Sequence, residues 1–224
     1  MKKILTILIS GIMLMFISAC GDGPSGDVAA GEWEVSFSQE AELPDDAQVA
    51  FDKFMGDYDG DLAPVAYIGK QLVAGTNYAL ICYDKQNDML KSVCIYEDLS
   101  GETPETTVKD LDFSSLTEDR GADPEANLAG GWEVPENYTT MELPEEAAQA
   151  LEQAAGKLDG NELIPMALLG TQVVNGNNYA ILCHSATVTK TPETSVQVVT
   201  VYEDMDGNAE ISNIYTIDPG EWNQ

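Results

Sequence analysis

Gln71-Leu72-Val73-Ala74-Gly75-Thr76-Asn77-Tyr78-Ala79 and, 101 residues later, Gln172-Val173-Val174-Asn175-Gly176-Asn177-Asn178-Tyr179-Ala180 are two versions of one segment. In each, two extended runs meet at a glycine joint, which reads as a β-hairpin. The joint of the second copy is Asn-Gly, the dipeptide suited to a tight type I′ turn. Beyond it, Tyr179, Ile181 and Cys183 point to one face of a strand, and Ala180, Leu182 and His184 to the other.

Working outward, the correspondence continues in the same order. Gly31-Glu32-Trp33-Glu34-Val35 is answered by Gly131-Trp132-Glu133-Val134, and Leu43-Pro44-Asp45-Asp46-Ala47 by Leu143-Pro144-Glu145-Glu146-Ala147. Tyr96-Glu97-Asp98-Leu99-Ser100-Gly101 is answered by Tyr202-Glu203-Asp204-Met205-Asp206-Gly207. Each copy is too long for one turn of a solenoid and is a small domain. The repeats occupy residues 31–116 and 128–224, with a polar linker at 117–127. After Leu-Pro, paired acids meet the positive end of a helix dipole, with proline expected at the first helical position. Ala47, Phe51, Phe54 and Tyr58 then form one apolar stripe, as do Ala147, Leu151, Ala154 and Leu158. Asp59-Gly60 and Asp159-Gly160 end the helices. Strands are expected at 64–73 and 76–83, at 92–96 or 196–202, and at 106–111 or 209–217. The fold class is therefore α+β: two tandem domains, each one helix packed on a four- to five-stranded antiparallel sheet. Trp33 and Trp132 are expected as core or edge-packing anchors.

The chain opens with Met1-Lys2-Lys3 and an apolar run, too short for a comfortable membrane span. That run ends in Ile17-Ser18-Ala19-Cys20, which resembles the lipobox of bacterial lipoproteins. The resemblance implies a signal peptide at 1–19, a lipidated Cys20 heading a tether at 20–30, and an extracytoplasmic protein anchored to the bacterial membrane. All 39 acidic residues lie beyond residue 20, so loss of Lys2 and Lys3 moves the net charge from −29 to −31. Such a surface repels phosphate backbones and excludes nucleic acid as a partner. Cys82 and Cys94 fall on neighbouring strands, which leaves a disulfide and buried thiols both open.

The two hairpins resemble the Gln-x-Val-x-Gly hairpin of the cystatins, including the Asn-Tyr that follows it. The order of elements is similar too: a glycine, a strand, a helix and a four-strand meander. Leu128-Ala129-Gly130-Gly131 resembles the apolar pair and glycine before the first cystatin strand. Leu99-Ser100-Gly101 stands where stefin-type cystatins carry a second binding loop. This resemblance implies a double-headed, cell-surface inhibitor that wedges hairpin tips into the cleft of papain-like cysteine proteases. The contact residues it implies are Gln71, Leu72, Val73, Ala74, Gly75, Leu99, Ser100 and Gly101 in the first repeat. In the second they are Leu128, Gly130, Gly131, Gln172, Val173, Val174, Asn175 and Gly176. The chain departs from the family in lacking Pro-Trp at the second loop and in placing Asp206 at the tip of its second copy. Asp218-Pro219-Gly220-Glu221-Trp222 holds both residues but follows the last strand.

No enzyme is expected. The only histidine, His184, adjoins Cys183 on a strand, so the two face opposite ways and form no dyad. No Gly-x-Ser-x-Gly, His-Glu-x-x-His or phosphate-cradling loop occurs. Residues 57–61 imitate half a calcium loop without its downstream glutamate and read as a helix end and turn. No catalytic residue, metal or cofactor is assigned. The alternative function is a non-inhibitory envelope or adhesion module that binds another surface protein on the same scaffold.

Overall fold

The computed structural model describes residues 31–35, 43–111, 131–135 and 143–223. The expected signal peptide at 1–19, Cys20, the expected tether and linker, Leu128 and Gly130 lie outside the described residues. The two helices are Asp45–Asp57 (α1) and Glu145–Ala155 (α2). Pro44 and Pro144 sit one residue earlier than expected, at the N-cap, where their carbonyls accept from Gln48 N–H at 2.8 Å and Ala148 N–H at 3.0 Å. A proline costs nothing there, because an N-cap has no intrahelical partner for its own N–H. The buried stripes are Ala47, Ala50, Phe51 and Phe54 in α1, and Ala147, Ala150, Leu151 and Ala154 in α2. Tyr58 and Leu158, expected to complete them, lie beyond the helix ends, half-buried, because the helices stop at Asp57 and Ala155 before the Asp-Gly pairs. Among the described residues no helix is long and apolar enough to cross a membrane.

The strands of the first repeat are Trp33–Val35 (β1), Leu62–Val73 (β2), Gly75–Asp84 (β3), Met89–Asp98 (β4) and Glu105–Asp110 (β5). Those of the second are Asn161–Val174 (β6), Gly176–Thr187 (β7), Thr194–Glu203 (β8) and Ala209–Thr216 (β9). They form a five-stranded sheet, β1-β2-β3-β4-β5, and a four-stranded sheet, β6-β7-β8-β9, antiparallel throughout. In the second repeat the opening strand shrinks to one bridge, Glu133 with Thr171. Register shifts fall at matching places, Pro64/Ala66 and Tyr67/Gly69 in β2 and Pro165/Ala167 and Leu168/Gly170 in β6. Such bulges bend a long strand, and they recur at equivalent places in the two repeats.

Each sheet buries both faces. Tyr78, Leu80 and Cys82 pack against α1, and Tyr179, Ile181 and Cys183 against α2. The opposite faces meet each other. Val65, Ile68, Ala79 and Ile81 of the first repeat share one central core with Met166, Leu169, Ala180, Leu182 and Val198 of the second. The molecule is thus layered helix, sheet, sheet, helix, with Trp33 and Trp132 half-buried at the margin of the central core. The tail adds to it: Pro219–Asn223 forms a short 3₁₀ helix, Trp222 packs on the central core, and Lys109 Nζ donates to the Glu221 carbonyl at 3.3 Å.

The cross-strand register decides the cysteines. Cys82 lies opposite Lys91 and faces α1, whereas Cys94 lies opposite Ala79 with its neighbours Val93 and Ile95 facing α1. The two thiols therefore belong to different layers and are not bridged. Burial pushes the Cys183 thiol up to about 12 and the Cys82 thiol higher still, so both are protonated and inert as nucleophiles. Cys183 and His184 fall on opposite faces of β7, as alternation requires.

Two measurements test this layering. Ile68→Ala removes a fully buried side chain from the central core and is expected to cost about 2–5 kcal/mol. Because the core is shared, amide exchange is expected to accelerate in α2 as well as in α1; an unaltered α2 would mean that the repeats unfold separately. His184 is also buried, between Ile164 of β6 and Val196 of β8. Desolvation holds its imidazole below the ordinary value of 6.5, against a weaker opposing pull from Glu162. The folded chain binds the proton less readily than the unfolded one, so the stability present above that value is lost as pH falls through it. His184→Leu is therefore expected to lose less Tm than the parent between about pH 7 and pH 5; parallel losses would remove the imidazole from the account.

Candidate functional site

At one end of each sheet two turns stand side by side. Val73 pairs with Gly75, and Val174 with Gly176, so a single residue, Ala74 or Asn175, spans the first turn. This is not the type I′ turn expected from Asn-Gly, which needs positive φ at both central residues. Only the glycines turn that way, Gly75 at 148° and Gly176 at 130°. Their reason is the neighbouring strand: a Cβ on Gly75 would lie 2.3 Å from the Glu97 carbonyl oxygen, and one on Gly176 2.2 Å from that of Glu203.

A tyrosine then pins each tip. Tyr96 Oη donates to the Ala74 carbonyl at 2.7 Å, and Tyr202 Oη to the Asn175 carbonyl at 2.6 Å. The hairpin's glutamine and asparagine are also used internally, Asn77 Nδ2 donating to Gln71 Oε1 and Asn178 Nδ2 to Gln172 Oε1, each at 2.8 Å. Gln71 Nε2 donates in turn to the Gly31 carbonyl at 2.8 Å, while Gly31 N–H donates to the Leu72 carbonyl at 2.9 Å. Gly31, just before β1, is thereby tied to the first turn.

The second turn lies beside the first because Gly75 pairs with Asp98, and Asn177 with Glu203. Asp98 organises it in the first repeat, its Oδ1 accepting from Ser100 N–H at 2.8 Å, Ser100 Oγ at 2.6 Å and Glu102 N–H at 3.0 Å. Asp204 does the same for Asp206 N–H at 2.9 Å and for Asn208 N–H at 2.8 Å. Donation by the Ser100 hydroxyl, and by the Asn208 side chain, holds both carboxyls below the ordinary aspartate value. Behind the turns, Tyr78 Oη and Tyr179 Oη donate to Glu97 and Glu203 at 3.3 and 3.1 Å. Burial and these carboxylates push both phenols up to about 12, which keeps them donors.

The turns leave large apolar side chains in water. Leu72 is 54 % exposed, Val73 46 %, Leu99 88 %, Val173 66 % and Met205 82 %. In the second repeat a groove of about 470 Å³ runs between the two turns, flanked by Val173 and Met205. The expected contact residues thus divide. Leu72, Val73, Ala74, Leu99, Ser100, Val173 and Asn175 are presented outward, and Gly101 and Val174 are half-buried beside them. Gln71, Gln172, Gly75 and Gly176 serve the hairpin itself. Gly131 is exposed, while Leu128 and Gly130, just before it in the chain, lie outside the described residues. Tyr96, Tyr202 and Met205 are not among the contact residues expected from the sequence. The repeated Tyr-Glu-Asp is their signal, but only the β3–β4 and β7–β8 register shows where its phenol reaches. No family model and no curated protein sequence matches the chain.

Gly176→Ala is expected to destabilise the chain by about 1–3 kcal/mol through backbone strain, whereas Asn175→Ala, one residue earlier and exposed, should stay within about 0.5 kcal/mol. Urea unfolding distinguishes them, and equal effects would contradict the close approach to β8.

Proposed function

We propose that the chain is a lipid-anchored protein of the bacterial cell surface whose repeats act as cystatin-type inhibitors of papain-like cysteine proteases. The observation that carries this reading is the end of the first repeat. There Gly31, a hairpin tip and a second turn converge, with Leu72, Val73 and Leu99 exposed. The order of strands in the first sheet, with the helix against it, agrees with the cystatin-like arrangement expected from the sequence.

The physics suits inhibition by exclusion. A cleft narrow enough to hold an extended peptide admits a thin hairpin edge, and valine and leucine bring apolar area with little rotamer entropy to lose. The tyrosine pins and the glycine contacts hold each tip in place before binding, which reduces the ordering cost of association. The wedge contributes contact and no chemistry. The lipid on Cys20, in this reading, holds the inhibitor where proteases meet the cell.

Titration of papain with residues 21–224 is expected to give stoichiometric loss of activity, with up to two proteases per chain. Val73→Asp and Leu99→Asp are each expected to weaken inhibition by the first repeat at least tenfold, with Tm unchanged, because both side chains already stand in water. Full activity of papain at micromolar chain would end the inhibitor reading and leave the envelope or adhesion module.

A further inference from the structure

Among the differences between the two ends, one is a cation. Lys53 in α1 and Gln153 in α2 occupy the same helical position, 100 residues apart. Lys53 Nζ donates to the Gly101 carbonyl and lies 3.8 Å from Glu97 Oε1. Gln153 Nε2 donates to the matching carbonyl, Gly207, at 3.3 Å, and its Oε1 accepts from Ala209 N–H. The neutral amide thus repeats the lysine's structural contact and omits its charge. Glu203, which matches Glu97, receives the Tyr179 hydroxyl on Oε2, and no basic side chain pairs with it among the described residues. The nearby Lys157 gives its ammonium to the Ala209 carbonyl at 2.7 Å.

The space differs in the same way. A Cβ on Gly101 would meet Lys53 Nζ at 3.5 Å and Glu97 Oε1 at 3.8 Å, whereas one on Gly207 would meet nothing within 4 Å. The groove of the second repeat opens at this place, with Glu203, Asp204 and Gly207 beside Val173 and Met205. We propose that this groove receives a lysine or arginine side chain of the partner protein, which supplies to Glu203 the cation that Lys53 supplies to Glu97. Long cationic side chains lay an apolar stem on apolar surface and keep their charge at the polar end, and Val173 and Met205 provide that surface. A half-buried carboxylate with no internal cation gains a charge-assisted hydrogen bond from such a visitor. Asp204 strengthens the field but has committed its oxygens to the Asp206 and Asn208 donors. Among the described residues no group of three or more metal-ligating side chains gathers here or elsewhere.

The proposal deepens the reading above by naming what a protease presents to the second wedge, so it rests on that reading for its partner. Its test needs no protease. The ¹⁵N-labelled chain of residues 21–224 is titrated with acetyl-Ala-Arg-Ala-amide and with the same peptide carrying citrulline. The arginine peptide is expected to move the amides of Gly176, Asn177 and Gly207 saturably, at least fivefold more tightly than the citrulline peptide. Gly75, Asn77 and Gly101 should stay in place. Glu203→Gln and Gln153→Lys should each abolish the response, the second by installing the internal cation without removing any groove residue. Equal shifts in both repeats, or an undiminished response in Gln153→Lys, would overturn the proposal. Papain inhibition without peptide binding would sink the groove and spare the inhibitor; peptide binding without inhibition would do the reverse.

Discussion

A sheet that is apolar on both faces must be covered twice, and that requirement governs this molecule. One helix per repeat covers one face of each sheet. The other face carries residues such as Ile68, Ile81, Leu169 and Leu182, which are fully buried only because the two sheets lie against each other. Separating the repeats would expose this surface to water at about 25 cal/mol for every Å² uncovered. The helices and the central core thus occupy the broad faces of both sheets. Most of the large apolar side chains left in water, Leu72, Val73, Leu99, Val173 and Met205, stand at the narrow ends, where the turns are.

At those ends the work is divided between holding and presenting. Gly75 and Gly176 let one strand approach the next, Tyr96 and Tyr202 fix the tip carbonyls, and the Gln-Asn pairs tie the base of each hairpin. Since these groups are spent on the hairpin, substitutions in them act first on its shape. The side chains with no internal duty are the exposed apolar ones, Leu72, Val73 and Leu99 in the first repeat and Val173 and Met205 in the second, and these are the ones the proposed reading assigns to a partner. A motif such as Gln-x-Val-x-Gly therefore mixes both kinds of residue, and its glutamine and glycine are here the structural part.

The duplication, both helices with the first three residues of each expected stripe, the meander and the alternation of Tyr179, Ile181 and Cys183 against Ala180 and Leu182 were legible in the sequence, because each depends on residues close in the chain. The helix ends, earlier than the Asp-Gly pairs, were not. The turn type was not. Asn-Gly favours type I′ in an isolated hairpin, but here Tyr202 and the Glu203 carbonyl, from another strand, set the tip. The docking of the repeats was half legible: the even positions of β7 are as apolar as the odd ones, a sign of two buried faces that does not name the second cover. The role of the tail was hidden for the same reason, since Trp222 reaches a core built largely by strands far from it in sequence. The layer that holds each cysteine also needed the register, which no local pattern supplies.

Tandem linkage explains how the two ends can differ. A symmetric dimer of a single repeat would carry two identical edges, because each substitution appears twice. Joining the copies in one chain keeps the back-to-back sheets together at high effective concentration and frees each end from the other. Lys53 and Gln153 are such a difference: both hold the carbonyl of the second turn, so the fold accepts either, yet only one neutralises the glutamate beside it. The first repeat thus offers a self-compensated apolar edge, and the second an apolar edge with an open acidic groove. The central core makes this divergence cheap, since neither residue touches it.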